Sequence, residues 1–205
     1  MKSVTLVGTS HISPRSLEKV RSAITEGVDA VAVELDPMRY LSLKSGSRGK
    51  VRGPLFVKAL AWLQIKLAKA TGVFPGEEML LAAELSKSRK IDTFLIDMDY
   101  PRIVSNLRRV PFLEKVKVFF TFLKGLDLKE IPERDMVEKV LERMEKSLPN
   151  LYNVLVERRN LYMFYWIKRI LQDHDNLVVV VGIGHVKGLK DLLKRWNKEI
   201  LLNEV

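Results

Sequence analysis

Two of the three histidines follow the same kind of segment, although they stand at opposite ends of the chain. His11 follows the apolar run V4-T-L-V-G8, and His185 follows V178-V-V-V-G182. Neutral imidazole binds divalent metals such as Mn, Co, Zn and Fe. A water molecule bound to such a metal is a good nucleophile near neutral pH. The repeated pattern therefore indicates a metal site built from the two ends of the chain.

Carboxylates stand at the ends of two other apolar runs, Ala30–Glu34 and Thr93–Asp97. Glu34 and Asp36 close the second run, and Asp97 and Asp99 close the third. In an open parallel sheet the carboxyl ends of the strands share one edge, where ligands bind. Two histidines and one carboxylate leave coordination positions open for water and substrate, and a further carboxylate can act as general base. A histidine that only caps a helix or packs beneath a loop is the alternative interpretation.

Proline residues give two of these carboxylates another role. Pro37 directly follows Asp36, and Pro101 follows Asp99 after one residue. A carboxylate just before a proline is typical of a helix N-terminus. We therefore expect Asp36 and Asp99 to cap helices.

The elements that position these residues are short apolar strands alternating with amphipathic segments. Four runs are continuous rather than alternating, which is typical of parallel strands covered on both faces: Val4–Gly8, Ala30–Glu34, Thr93–Asp97 and Leu177–Gly182. Glu199–Leu202 is a weaker fifth candidate. The pattern predicts an α/β fold: one domain over residues 1–205, with a mainly parallel sheet of four to five strands flanked by helices. A helical insertion at about 101–174 separates the third strand from the fourth.

Composition restricts the class of protein. The 205 residues are 47% hydrophobic, contain no cysteine and carry a net charge of +10. No signal peptide or membrane-spanning run is recognisable, so we expect a cytoplasmic protein. The basic residues are spread widely without a nucleic-acid-binding motif, so we expect no nucleic-acid partner.

The segment 44–70 is basic and contains no acidic residue. Its second half, Pro54–Ala70, is a predicted helix that is apolar on most of its surface. Burial or a homodimer contact is the favoured interpretation, since most apolar helices are packed. Peripheral binding to an anionic membrane is the alternative.

Five motifs occur in an order that resembles the TraB/PrgY family. They are G8-T-S-H11-I-S, V33-E-L-D-P-M-R39, G76-E-E-M79, E157-R-R-N-L-Y-M163 and V180-V-G-I-G-H-V-K-G188. The wider relatives of that family include the Tiki proteases, the GumN-like proteins, and the erythromycin esterase and ChaN folds. The resemblance covers nearly the whole chain.

The resemblance implies a metal-dependent hydrolase acting on a peptide or ester bond of a peptide or small-molecule substrate. It assigns the metal to His11, His185 and Glu34. It places Glu34, Arg39, Glu78, Glu157 and Arg158 in the active site. The PrgY branch, which is associated with pheromone shutdown, leaves a second hypothesis: a regulatory protein that binds a peptide or an anion without catalysis. Met98 departs from the family, whose members often carry arginine there.

Overall fold

The computed structural model describes residues 1–9, 14–46, 76–123 and 134–205. Five strands form one sheet, and their bounds are β1 Ser3–Thr9, β2 Ala30–Val33, β3 Asp92–Leu95, β4 Asn176–Gly182 and β5 Leu201–Glu204. The spatial order is β3-β2-β4-β1-β5, and every neighbouring pair is parallel. The predicted α/β class with a mainly parallel sheet is confirmed.

Helices occupy most of the remaining described chain. They are α1 Pro14–Ala23, α2 Pro37–Lys44, α3 Glu77–Ser88, α4 Tyr100–Arg108, α5 Phe112–Leu123, α6 Arg134–Ser147, α7 Pro149–Tyr152, α8 Arg158–Asp173 and α9 Ile183–Trp196. A π-helical turn at Asn153–Glu157 joins α7 to α8. Within the described ranges, no helix is long and apolar enough to span a membrane.

The strands divide their side chains between two hydrophobic layers. In β2, Ala30 and Ala32 pack into a cluster with α8 and α9, whereas Val31 and Val33 pack into a cluster with α1, α2 and α3. The strands β1 and β4 divide in the same way. Successive strand residues point to opposite faces, so a continuous apolar run can supply both layers. The sheet is therefore covered on both sides, as the sequence predicts.

The helices between β3 and β4 form a third hydrophobic cluster of their own. Val104 and Leu107 of α4 pack there with Leu151 and Val154 from around α7. A buried carboxylate anchors this cluster, since Glu114 of α5 accepts hydrogen bonds from Leu151 N (2.9 Å) and Asn150 Nδ2 (2.6 Å). Burial raises the pKa of Glu114, but these hydrogen bonds outweigh it, so the pKa lies below its ordinary value.

Several predicted boundaries differ from the structure. The segment predicted as one helix over Leu151–Gln172 is interrupted by the π-helical turn. The sequence predicts a last helix over Lys187–Trp196, but that helix begins four residues earlier, at Ile183, so His185 lies in its first turn. The strands β3 and β5 are each offset by one or two residues. The predicted helix Pro54–Ala70 lies outside the described residues, so the membrane and homodimer predictions for 44–70 stay predictions.

A histidine–aspartate pair joins the end of α8 to the edge strand β3. His174 Nε2 lies 3.0 Å from Asp92 Oδ2, and its Nδ1 lies 3.0 Å from Ile170 O. Burial lowers the pKa of His174, but the hydrogen bonds to Asp92 and Ile170 outweigh it, so the pKa is raised from its ordinary value of 6.5. The pair is therefore strongest when His174 is protonated.

The raised pKa predicts a pH dependence of the free energy of unfolding. The contribution of His174 is complete below pH 6.5, its ordinary value, and is lost as pH rises through the raised folded-state value. We expect a loss of up to about 1 kcal/mol, because Asp92 is exposed to solvent. Urea unfolding between pH 5 and pH 9 should show this loss in the wild type but not in Asp92→Asn. The exposed Asp191→Asn serves as the control. Equal profiles for the wild type and Asp92→Asn would contradict the linkage.

Candidate functional site

The sheet brings four chain segments to one edge. The strands β1, β2, β3 and β4 end at Thr9, Val33, Leu95 and Gly182. In the order β3-β2-β4-β1-β5, the connection from β1 to β2 passes β4 and runs toward the β3 side of the sheet. The connection from β4 to β5 passes β1 and runs toward the opposite side. The order of connections therefore reverses around β4 and β1. Such a reversal opens a crevice at the carboxyl edge of a parallel sheet, and ligands bind there.

An arginine whose side chain is only 13% exposed lies between two buried carboxylates at this edge. Arg159 donates from Nε to Asp97 Oδ1 (2.9 Å) and from Nη2 to Asp97 Oδ2 (2.9 Å). The same Nη2 donates to Glu34 Oε1. Glu34 and Asp97 are only 5% and 3% exposed. We name Glu34, Asp97 and Arg159 the carboxylate–arginine cluster.

The charges of this cluster depend on one another. Burial lowers the pKa of the Arg159 guanidinium, but attraction to Glu34 and Asp97 outweighs it, and the pKa rises above its ordinary value. Arg159 is therefore a permanent cation. Removing a single partner from such a buried set leaves an uncompensated charge, which is strongly destabilising.

Glu34 also holds the start of α9. Its Oε2 accepts a hydrogen bond from Gly182 N at 2.7 Å. Gly182 is the residue immediately before α9. The amino end of a helix carries partial positive charge and unpaired N–H groups, so a carboxylate there is stabilising. The end of β2 is thus fixed to the corner between β4 and α9.

His185 faces Glu34 from the first turn of α9. Its Nε2 lies 3.4 Å from Glu34 Oε1, and its Nδ1 lies 2.7 Å from Asn160 Oδ1. An amide oxygen only accepts hydrogen bonds, so Nδ1 carries the proton and Nε2 is directed at Glu34. In neutral imidazole that leaves a lone pair on Nε2, facing a carboxylate oxygen. This is an arrangement that a cation between the two atoms would relieve.

Close packing of α8 against α9 fixes Asn160. A Cβ atom at Gly188 would overlap the side-chain amide of Asn160. Glycine therefore lets α9 approach α8 closely enough for Asn160 to reach His185. This gives a physical reason for the glycine that ends the sequence H185-V-K-G188.

The π-helical turn directs Arg159 toward the sheet. Arg159 Nη1 donates to Leu155 O, within that turn, at 3.2 Å. A π-helical turn inserts an extra residue and so rotates the residues before it relative to those after it. Within α8, Arg159 and Asn160 lie on the same face as the buried Met163 and Ile167, because residues three, four, seven and eight apart share one face of a helix.

The other predicted site residues are placed differently. Arg39 lies at the rim, where its Nη1 reaches Asp97 Oδ2 at 3.5 Å. Glu78 is buried in the first turn of α3. Asp36 caps α2 as predicted, accepting from Met38 N and Arg39 N. Asp99 stands at the start of α4 but makes no side-chain cap hydrogen bond there.

The structure does not bring Glu157 and Arg158 into the cluster. Both are exposed. Glu157 accepts from Asn153 Nδ2 (2.6 Å), and Arg158 donates to Asn153 Oδ1 (2.8 Å). His11 lies outside the described residues. Within the described parts of the chain, no group of three His, Asp or Glu side chains is placed to hold a metal ion.

Sequence reasoning left Arg159, Asn160 and Asp97 out of the site. A usable signal was present in the helix period. Arg159 precedes Met163 by one helical turn and Ile167 by two, so it belongs to the buried face of α8. Arg158 lies one residue away from that face. The aspartate Asp97 was recognised at its strand end but was not assigned a partner.

The cluster predicts unequal effects for two adjacent arginines. Arg159→Met should lower the free energy of unfolding by about 3–5 kcal/mol, because Glu34 and Asp97 would stay buried without their cation. Arg158→Met should lower it by less than about 0.5 kcal/mol, because Arg158 is exposed. Urea denaturation followed by circular dichroism measures both values. Similar losses in the two variants would contradict the assigned cluster.

The comparisons with known proteins agree with the motifs. An uncharacterized protein of Methanocaldococcus jannaschii is 33% identical over 93% of this chain and 53% of its own length. The TraB domain-containing protein of Mus musculus is 25% identical over 98% of this chain and 65% of its own length. The chain thus spans about half to two thirds of these curated relatives.

A solved structure gives a more distant likeness. ChaN of Campylobacter jejuni, solved with cofacial heme binding, has a TM-score of 0.47 and 10% identity over 99% of this chain and 81% of that chain. The sequence model of the TraB/PrgY/gumN family, by contrast, matches residues 1–199. The chain therefore belongs to the TraB/PrgY/gumN family.

Proposed function

We propose that this chain is a metal-dependent hydrolase that cleaves a peptide or ester bond at the carboxyl edge of the sheet. The observation that carries the proposal is the pair of atoms His185 Nε2 and Glu34 Oε1, which face each other at 3.4 Å. The family membership and the crevice at the strand ends also support it.

The donor atoms fit a divalent metal. Two ligands at about 2.1 Å from one ion, subtending 90–110°, lie about 3.0–3.4 Å apart. The His185–Glu34 separation falls at the upper limit of that range. The contact of His185 Nδ1 with Asn160 is the outer hydrogen bond that metal-binding histidines usually make. His11 would supply a further nitrogen, since it follows the adjacent strand β1.

The protein's own groups would divide the remaining work. A bound Mn, Co, Zn or Fe ion would supply an activated water and polarise the substrate carbonyl. Glu34 would be either a third metal ligand or the general base that accepts the proton from that water. Arg159 holds Glu34 and Asp97 in place, and Arg39 at the rim is positioned to contact an anionic part of the substrate.

One observation favours the second candidate, a non-catalytic peptide- or anion-binding protein. Both oxygens of Glu34 already accept hydrogen bonds, from Arg159 and from Gly182 N. Little of this carboxylate is left to act as a base. Binding without catalysis would need no such base, and the histidines would then serve as hydrogen-bonding groups.

The metal content of three histidine variants tests which histidines bind the metal. His11→Ala and His185→Ala should each abolish metal binding, since each would remove one ligand. His174→Ala is the matched control and should keep full occupancy, because His174 contacts Asp92 at the other end of β3. Mass spectrometry of untagged, reconstituted protein measures the metal content. Full occupancy in the site variants would overturn the metal assignment.

Hydrolysis separates the two candidate functions. With metal bound, Glu34→Gln should lower the rate of cleavage of a peptide library by about 10²–10⁴-fold if Glu34 acts as the base. Unchanged far-ultraviolet circular dichroism would show that the fold is retained. If the metal-loaded wild type cleaves no peptide, while the wild type and Glu34→Gln both bind peptides of the library, the result would favour the non-catalytic binding function.

Asn160 should control the tautomer of His185. Asn160→Ala removes the acceptor of the Nδ1 proton, so we expect a mixture of tautomers and a metal affinity about 10–100-fold lower. Nitrogen NMR of the imidazole in metal-free protein detects the tautomer independently of activity. The exposed Asn203→Ala in β5 should change neither property. An unaltered imidazole spectrum in Asn160→Ala would contradict the assigned hydrogen bond.

A further inference from the structure

An open groove of about 630 Å³ lies between α4 and the start of α8. The helix α4 lines it with Arg102, Ser105 and Asn106, and α8 lines it with Arg158 and Tyr162. Residues three and four apart on a helix share one face. Each helix therefore presents one continuous face to the groove, and each of these faces begins with an arginine.

Among the described residues, three arginines line the groove and no acidic residue does. They are Arg102, Arg109 and Arg158. All three are exposed, and none forms an ion pair in the part of the chain that the structure describes. The neighbouring arginines differ, since Arg39 and Arg159 both contact Asp97. Like charges that share one concave surface repel each other unless an anion joins them.

Contacts with neighbouring side chains orient two of these arginines, Arg102 and Arg158. The guanidinium of Arg102 lies 5.7 Å from the ring centre of Tyr162. Arg158 is held by Asn153 (2.8 Å) and by Asn106 Oδ1 (3.4 Å). The remaining N–H groups of a guanidinium fork match the geometry of carboxylate and phosphate oxygens. The hydroxyl of Ser105 adds a neutral donor.

The groove is adjacent to the carboxylate–arginine cluster. Met98, which also lines the groove, follows Asp97 directly and donates its N–H to Asp97 Oδ1 at 2.8 Å. Asn106 Nδ2 contacts Met98 Sδ at 3.8 Å. One residue thus separates the floor of the groove from a member of the cluster. The groove and the cluster are therefore neighbours through Met98.

We propose that this groove binds a multiply charged anion bearing phosphate or carboxylate groups. It thereby gives the neighbouring crevice a preference for acidic ligands. The second statement rests on the proposed function, because it takes the crevice to be the site of reaction or binding. The first statement does not, since anion binding in the groove requires neither a metal nor turnover.

The test measures anion binding to the full chain in metal-free buffer. Isothermal titration calorimetry with pyrophosphate and, separately, with a triglutamate peptide distinguishes phosphate from carboxylate ligands. Arg102→Gln/Arg158→Gln removes two charges from the groove. Arg108→Gln/Arg195→Gln removes two exposed charges elsewhere, on α4 and α9, and so matches the change in net charge. Circular dichroism checks that both variants are folded.

We expect the wild type and the control to bind at least one of the two anions with similar affinity. The groove variant should bind about tenfold or more weakly, because charge-assisted Arg–oxyanion contacts are lost. Equal weakening in both variants would show a general effect of net charge and overturn the proposal. Failure of the wild type to bind either anion would also overturn it. Anion binding without hydrolysis by the metal-loaded protein would count against the proposed function alone.

Discussion

The guanidinium of Arg159, held between Glu34 and Asp97, is the interaction on which the carboxyl edge of the sheet depends. It joins the ends of β2 and β3 to the start of α8, three segments that are far apart in the sequence. Each charge has left water at a cost of several kcal/mol, and only its partners offset that cost. Separating these three segments would leave buried charges without partners, so the arrangement is strongly stabilised.

The same interaction determines what Glu34 can do. One of its oxygens faces both Arg159 and His185, and the other accepts from Gly182 N at the start of α9. The carboxylate is thus oriented before any ligand binds, which favours catalysis because little reorganisation remains. Its acceptor capacity is also largely used, which is why a binding protein remains the competing hypothesis.

Charge is arranged in two zones around the crevice. Inside, carboxylates and one arginine are buried and paired. Outside, between α4 and α8, exposed arginines line a groove to which the described part of the chain contributes no carboxylate. Met98 stands between the zones, at a position where many family members are expected to carry arginine. An apolar residue there separates the paired interior from the basic groove, so the groove depends on Arg102, Arg109 and Arg158 for its charge.

The sequence by itself determined the fold class and the edge of the sheet at which the polar residues meet. Continuous apolar runs predict strands covered on both faces, and the polar residues after them must meet wherever parallel strands end. These conclusions follow from local patterns. The motifs V33-E-L-D-P-M-R39 and V180-V-G-I-G-H-V-K-G188 also indicate the family, because their order along the chain is specific.

Only the tertiary structure decided which polar groups are partners. The helix period places Arg159 on the face of Met163 and Ile167, but only the packing of that face against the sheet brings the guanidinium between Glu34 and Asp97. The contact between Asn160 and His185 depends on how closely α8 approaches α9 at Gly188. Side chains far apart in sequence meet through packing, and packing is a property of the whole chain. The sequence therefore supplied the candidates, and the fold paired them.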